Sequence, residues 1–203
     1  MGTRANTRFR TISEPAESYV KERGSKFMGF AFPVNSKLQV DQHMEALKSE
    51  FPDATHHCYA FRIGHDGNEF RYSDDGEPSN SAGSPIYRQL LSYAVTNTLL
   101  VVVRYYGGKK LGVPGLIEAY GTAAQKCLEA TNIIEQTLSK SYSIKTQLNK
   151  EYLIYQLAAK YKLGNPAVDQ KQSNLFHFEV ELDRWSEITD LLQNLKHFEL
   201  IID

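Results

Sequence analysis

Between Val103 and Leu116 the chain reads Val-Arg-Tyr-Tyr-Gly-Gly-Lys-Lys-Leu-Gly-Val-Pro-Gly-Leu. An apolar run, Leu99 to Val103, enters a glycine-rich stretch, and that stretch leads into residues with helical spacing. Backbone N–H groups exposed where a loop opens a helix attract anions, and glycines let an anion come close. Arg104, Lys109 and Lys110 add positive charge, and Tyr105 and Tyr106 offer rings for base stacking. Arg104, Tyr105, Tyr106, Gly107, Gly108, Lys109 and Lys110 therefore form a candidate site for nucleic acid or another anion. Neither common phosphate loop is present: no Lys-Ser or Lys-Thr pair follows a GxxxxG, and GxGxxG is missing. The plainer alternative is a tight strand-to-helix turn with solvated lysines.

Two further stretches carry reactive residue types. In Ser73-Asp74-Asp75-Gly76-Glu77-Pro78-Ser79-Asn80-Ser81, the carboxylates Asp74, Asp75 and Glu77 could hold Mg²⁺ or exchange protons, with Ser81 beside them. The spacing is not that of an EF-hand, and Ser81 is not in a GxSxG elbow. The alternative is an ordered loop whose Asp and Ser side chains cap its own backbone. In His56-His57-Cys58, strand periodicity puts His56 and Cys58 on one face and His57 on the other. That pair could ligate a metal or act as a thiolate pair; a buried thiol beside a hydrogen-bonded imidazole is the simpler reading. No second ligand pair is evident, so no metal and no cofactor is expected.

Composition narrows the classes. The 203 residues carry 23 Lys plus Arg against 24 Asp plus Glu, a formal charge of −1, so no global basic field steers the chain to phosphate. Apolar residues at 41% and charged residues at 23% are the balance of a globular chain. Cys58 and Cys127 are too few and too far apart for a disulfide framework or a four-thiolate zinc site. The longest aliphatic run, Leu99 to Val103, is far too short to span a bilayer, and the first residues lack a signal-peptide core. A cytoplasmic protein with no membrane contact is expected.

Elements must position these stretches. Strands are expected over Phe27–Val34, His56–Ile63, Glu69–Ser73 and Leu99–Arg104, with a hairpin turn at His65-Asp66-Gly67-Asn68. Helices are expected from a cap at Asp41 to about Ser49, over Ile86–Thr96, and from Leu116 to Ala130. Only Gly164, of 13 glycines, lies beyond residue 121, so the last part should be compact regular structure. There the pattern gives strand Leu138–Gln147, helix Lys150–Leu163, a hairpin of Ala167–Gln172 with Leu175–Leu182, helix Trp185–Leu195 capped by Asp183, and strand Phe198–Ile202. That βαββαβ order is ferredoxin-like. The expected organisation is α+β with two domains, 1–135 and 136–203.

Taken in order, several segments resemble the IMPACT/YigZ family. They are Ser25-Lys26-Phe27 with Pro33-Val34; His56-x-Cys58-x-Ala60; Asp74-Asp75-Gly76-Glu77-Pro78; and Ala82-Gly83-x-Pro85-Ile86. Val103 to Gly108, Lys110-Leu111-Gly112, Gly115-Leu116 and Ala119-Tyr120 complete the pattern. The resemblance covers roughly residues 20–130, and the tail resembles the small C-terminal domain of bacterial members. This chain has Asn80-Ser81 where the family usually has Gly-Thr, and Val113-Pro114 where it has Thr-Gly. Proline at 114 removes an N–H donor, which would weaken an anion site that used it.

The resemblance implies an N-terminal domain similar to the second domain of small-subunit ribosomal protein five and to domain IV of elongation factor G. It also implies a ferredoxin-like C-terminal domain similar to domain V of that factor. Eukaryotic relatives are implied to restrain a general-control kinase by competing for its activator, through an added N-terminal domain not expected in 203 residues. Bacterial-type members are implied to bind RNA or the ribosome without a known reaction. The leading expectation is a noncatalytic RNA- or ribosome-associated factor linked to translation. The alternatives are an enzyme on a phosphorylated small molecule or peptide, using the acidic loop and the glycine loop at 107–115, and a protein-interaction regulator.

Overall fold

The computed structural model describes residues 7–193 and 198–202. Residues 8–136 form one compact unit; those from 137 onward form the other, with Thr7 beside them. The fold is mixed α+β in two units.

The first unit is built on a five-stranded antiparallel sheet. Its strands are β2 (Ala16–Glu22), β3 (Ser25–Pro33), β4 (His56–Ile63), β5 (Glu69–Ser73) and β6 (Thr98–Tyr105). The spatial order is β2-β3-β6-β4-β5. Central β6 is an unbroken apolar run because both faces are covered. Leu100 and Val102 join Phe27, Cys58 and Ala60 under helices α2 (Gly83–Ser92) and α3 (Gly112–Glu129). Leu99, Val101 and Val103 join Phe30 and Phe61 under α1 (Lys37–Glu50). Two short strands, β1 (Arg8–Ile12) and β7 (Ile133–Thr137), pair beside this sheet.

The second unit runs β8 (Ser139–Thr146), α4 (Tyr152–Tyr161), β9 (Ala167–Val168), β10 (Leu175–Glu181), α5 (Trp185–Gln193) and β11 (Phe198–Ile202). Its sheet order β11-β8-β10-β9 is that of the split βαβ arrangement. Tyr142, Ile144, Phe176, Phe178 and Val180 from one sheet face pack on Ile154, Leu157 and Ile188.

Several expected boundaries are corrected. Asp41 is not the cap of α1; Ser36 is, its hydroxyl accepting the Gln39 N–H, while Asp41 is exposed in the helix. α2 begins three residues earlier than Ile86, and α3 begins at Gly112, inside the glycine stretch. Asp183 lies in a single 3-10 turn, Leu182–Arg184, rather than at a cap. The expected strand Ala167–Gln172 shrinks to two residues because Asp169 turns back on the N–H groups of Lys171 and Gln172. Leu195, the expected end of the last helix, lies outside the described residues. Strands β1 and β2 carry too many charges, and β7 too short and irregular an apolar pattern, to stand out in the sequence.

Candidate functional site

The acidic stretch closes on itself. Asp74 Oδ1 accepts the N–H groups of Ala82 (3.0 Å) and Gly83 (2.8 Å), and Oδ2 accepts that of Asn80 (2.8 Å). Ala82 stands at the N-cap of α2 and has no side chain to cap with, so Asp74 supplies the missing acceptor from outside the helix. A Cβ at Gly83 would lie 2.7 Å from the Ser73 backbone, so only glycine lets the helix start press against the end of β5. Asp75 Oδ2 accepts the backbone N–H of His57 at 2.6 Å, tying the loop to β4. Ser81 is fully buried, and its hydroxyl donates to the Pro78 carbonyl at 2.6 Å. Asp74, Asp75 and Ser81 thus each satisfy backbone groups of the protein, Asp75 from an exposed position.

Glu77 goes elsewhere. The β4–β6 and β3–β6 register sets His56, Arg104 and Phe27 in one row on the α3 side of the sheet. Glu77 drops onto that row, with its side chain 4% exposed. Its Oε1 pairs with the Arg104 guanidinium, accepts the Tyr120 hydroxyl at 2.7 Å and lies 3.8 Å from His56 Nε2. Arg104 also donates to Ser25 Oγ at 3.3 Å and lies over the Phe27 and Tyr106 rings. His56 Nδ1 is 2.7 Å from the Asp75 carbonyl, which can only accept, so that nitrogen carries a proton. Cys58 donates its S–H to the Asp74 carbonyl, and burial pushes its pKa well above the ordinary thiol range. Burial likewise pushes the Tyr120 phenol far up. These groups are held in their neutral forms, so Cys58 is no ready nucleophile.

This corrects the expected role of Arg104. It is 5% exposed and its charge is met by Glu77, so it does not present itself on the glycine loop. Tyr105 is half-buried against the α1 core, whereas Tyr106 is 47% exposed. Gly107, Gly108, Lys109 and Lys110 are exposed. Gly107 N–H donates to Ser25 Oγ at 3.1 Å, and Tyr106 N–H to Thr55 Oγ1 at 3.0 Å, so the loop is pinned at its root and open at its tip. Leu111 at the N-cap of α3 offers no side-chain acceptor, and Pro114 has no N–H.

The acidic loop reaches the end of β6 through the buried pair of Glu77 and Arg104. Cavities of about 210 and 200 Å³ in this unit are lined by Thr11, Asn35, Gln39 and Asn97, and by Val20, Arg23, Gly115 and Glu118, among others. Neither is lined by Asp74, Asp75 or Glu77. Among the described residues no group of three or more His, Cys, Asp or Glu side chains is placed to hold a metal ion. The second unit contains an array resembling a hydrolase relay: Ser143 Oγ lies 2.8 Å from His177 Nδ1, and His177 Nε2 lies 3.2 Å from Asp169 Oδ2. Ser143 is 3% exposed, so no carbonyl carbon can reach it. Asp169 also holds the turn before β10, its pKa lowered first by the Lys171 N–H and then by His177.

Ser25, Phe27 and Tyr120 are the partners that residue chemistry alone does not single out. They lie 52, 50 and 43 positions from Glu77, and periodicity marks Phe27 and Tyr120 as parts of a strand and a helix without linking them to it. No spacing rule links side chains that a sheet row and a helix bring together.

Comparison with known proteins shows the family. Residues 23–128 match the Impact N-terminal domain family. Over 109 residues the chain is 38% identical to the IMPACT family member YigZ of Escherichia coli, covering 53% of each chain. Over 130 residues it is 33% identical to YvyE of Bacillus subtilis, covering 64% of this chain and 60% of that one. The match thus spans little more than half the length of these curated relatives. A crystal structure described as a hypothetical protein superposes over 98% of both chains, with a TM-score of 0.71 and 25% identity. No described helix is long and apolar enough to cross a membrane.

Proposed function

We propose, from the premise that the chain belongs to the IMPACT family, that it is a noncatalytic RNA- or ribosome-associated factor acting in translation. The observation that carries the reading is the contrast between the candidate groups: Asp74, Asp75 and Glu77 each hold groups of the protein itself, while Lys109 and Lys110 are exposed beside Tyr106, whose half-exposed ring meets Arg104. A catalytic reading would need at least one acid free to meet a substrate. An RNA reading needs only a local patch of cations with a ring beside it, which a chain of net charge −1 can carry.

The finer fold reading belongs to the same proposal. The N-terminal domain is taken as similar to the second domain of small-subunit ribosomal protein five and to elongation factor G domain IV. The C-terminal domain, from about residue 136, is taken as similar to domain V of that factor. The protein would act in the cytoplasm, where its target is.

The test is co-sedimentation of the purified protein with ribosomes and RNA at low and moderate salt. Salt-sensitive pelleting is expected. In Lys109→Ala/Lys110→Ala the slope of log affinity against log salt should flatten by about two phosphate contacts. Failure to pellet at low salt refutes the reading. An unchanged slope in the double variant removes the two lysines from it.

A further inference from the structure

The end of the sheet beside the glycine loop has a charge pattern that folding alone does not explain. The register of β2, β3 and β6 sets Lys21 opposite Lys26, and Lys26 opposite Tyr105. The next row is Tyr19, Met28 and Val103. Directly opposite residues on antiparallel strands project from the same face, here the α1 side. Lys21, Lys26 and Tyr19 are exposed, Tyr19 at 54%, so α1 does not cover this corner.

Like charges directly opposite each other destabilise a sheet. Among the described residues neither lysine has a carboxylate partner: Glu22 at the turn pairs with Arg23 at 3.7 Å, and the β2 acid on this face, Glu17, lies one row beyond Tyr19.

The glycine loop brings more cations to the same corner. Gly107 packs directly on the turn between β2 and β3; a Cβ there would stand 1.9 Å from the Gly24 carbonyl carbon. Lys109 and Lys110 therefore leave from the end of the sheet that carries Lys21 and Lys26. Four exposed lysines from two chain segments thus stand at this end of the sheet, Lys21 and Lys26 beside Tyr19 on the α1 face, and Lys109 and Lys110 after Tyr106, whose ring meets Arg104.

We propose that this corner is a track for single-stranded RNA, in which Lys21 and Lys26 neutralise backbone phosphates next to those met by Lys109 and Lys110. Tyr19 and Tyr106 take unstacked bases on their ring faces. The occupant follows from charge and shape together: repelling lysines are relieved by a polyanion, and exposed rings flanking cations suit bases that are free to splay, which a duplex does not offer. The inference rests on the RNA reading above and extends it from the loop to the sheet.

The test uses the full chain, a labelled oligouridylate and an RNA duplex of equal length, with binding measured across a salt series. Lys21→Ala/Lys26→Ala is expected to weaken oligouridylate binding at least about tenfold. It should also lower the salt slope by about 1.4, the value for two single-strand phosphates. Tyr19→Ala should weaken binding with the slope unchanged. Lys21→Glu should abolish most binding yet raise the melting temperature, since it turns a repelling cross-strand pair into an attracting one. A misfolded variant cannot do both. Unchanged binding in Lys21→Ala/Lys26→Ala, with loss in Lys109→Ala/Lys110→Ala, overturns the inference and leaves the RNA reading standing. Tighter binding of the duplex overturns the single-strand assignment. If the wild-type chain binds neither RNA nor ribosomes at low salt, both fall.

Discussion

The loops at 74–82 and 107–111 are alike in composition: both are rich in turn residues and charge, and each leads into a helix whose N-cap residue has no capping side chain. In the first, Asp74 crosses the loop to cap α2, Asp75 holds the His57 amide, and Glu77 meets a buried arginine. In the second, the root is pinned through Gly107 and Tyr106, and the lysines go to solvent. Charge in a glycine-rich loop says little about function until its hydrogen-bond partners are known. The first loop is a fastener. The second is a presented surface.

The largest expected effect comes from undoing the fastener. Glu77→Ala leaves Arg104 buried without its counter-charge and Tyr120 without its acceptor. Breaking a buried pair from one side costs about 3–5 kcal/mol. Urea denaturation should register a loss of that order, with a smaller loss for Glu77→Gln, which keeps an acceptor. A loss under about 1 kcal/mol would mean the cluster is not what holds the first loop.

A middle-sized effect separates the loops directly. Asp74→Ala strips three N–H groups of their acceptor, including two at the start of α2. The expected cost is about 1–3 kcal/mol. Lys109→Ala, on an exposed tip, should change stability by less than about 0.5 kcal/mol. Thermal melts of the two variants side by side check the contrast. Equal melting temperatures would erase the distinction between fastener and surface.

Much of this was legible in the sequence, and the reasons are physical. The βαββαβ tail could be read because its helices and strands keep clean periods, as in Leu153, Ile154, Leu157 and Ala158 on α4. Strand β6 showed itself as an apolar run because two cores share it. The His56 and Cys58 face could be read because strand alternation is local. The inward turn of Asp74 and Asp75 was only one of two open readings, since loop composition suits capping and chemistry equally. The pairing of Glu77 with Arg104 was not legible. Arg104 looked like part of a basic loop because it adjoins one in sequence, whereas the sheet register sends its side chain to the opposite side from Tyr105 and under α3. Lys21 and Lys26 were hidden for the same reason: their alignment depends on pairing β2 with β3, and β2 has no pattern of its own.

The smallest expected effect concerns pH, and it acts on the fastener alone. His57 is 8% exposed on the α1 side of β4, and its backbone N–H is the donor that Asp75 holds. Burial lowers its pKa below the ordinary histidine value; the Asp75 charge opposes this, and Lys48 adds to it. Because the folded value lies below the unfolded one, the unfolded chain takes up the proton first on acidification. The stability tied to a neutral His57 is therefore complete above about pH 6.5 and declines as the pH falls from there to the folded value. His57→Leu removes the titration, together with the ring's contacts to the Phe51 and Leu47 backbone, which favour the charged form. Melting temperature should fall less steeply between about pH 6.5 and 5 in that variant than in the wild type. His43, also lowered by burial, titrates in both proteins and cancels in the difference. In the wild type at the acid end, the His57 amide should exchange faster with solvent, while the Gly107 amide, held by Ser25, should not. Matching slopes in the two proteins would take His57 out of the fastener. Equal acceleration at both amides would show that the two loops open together, and the division between them would fail.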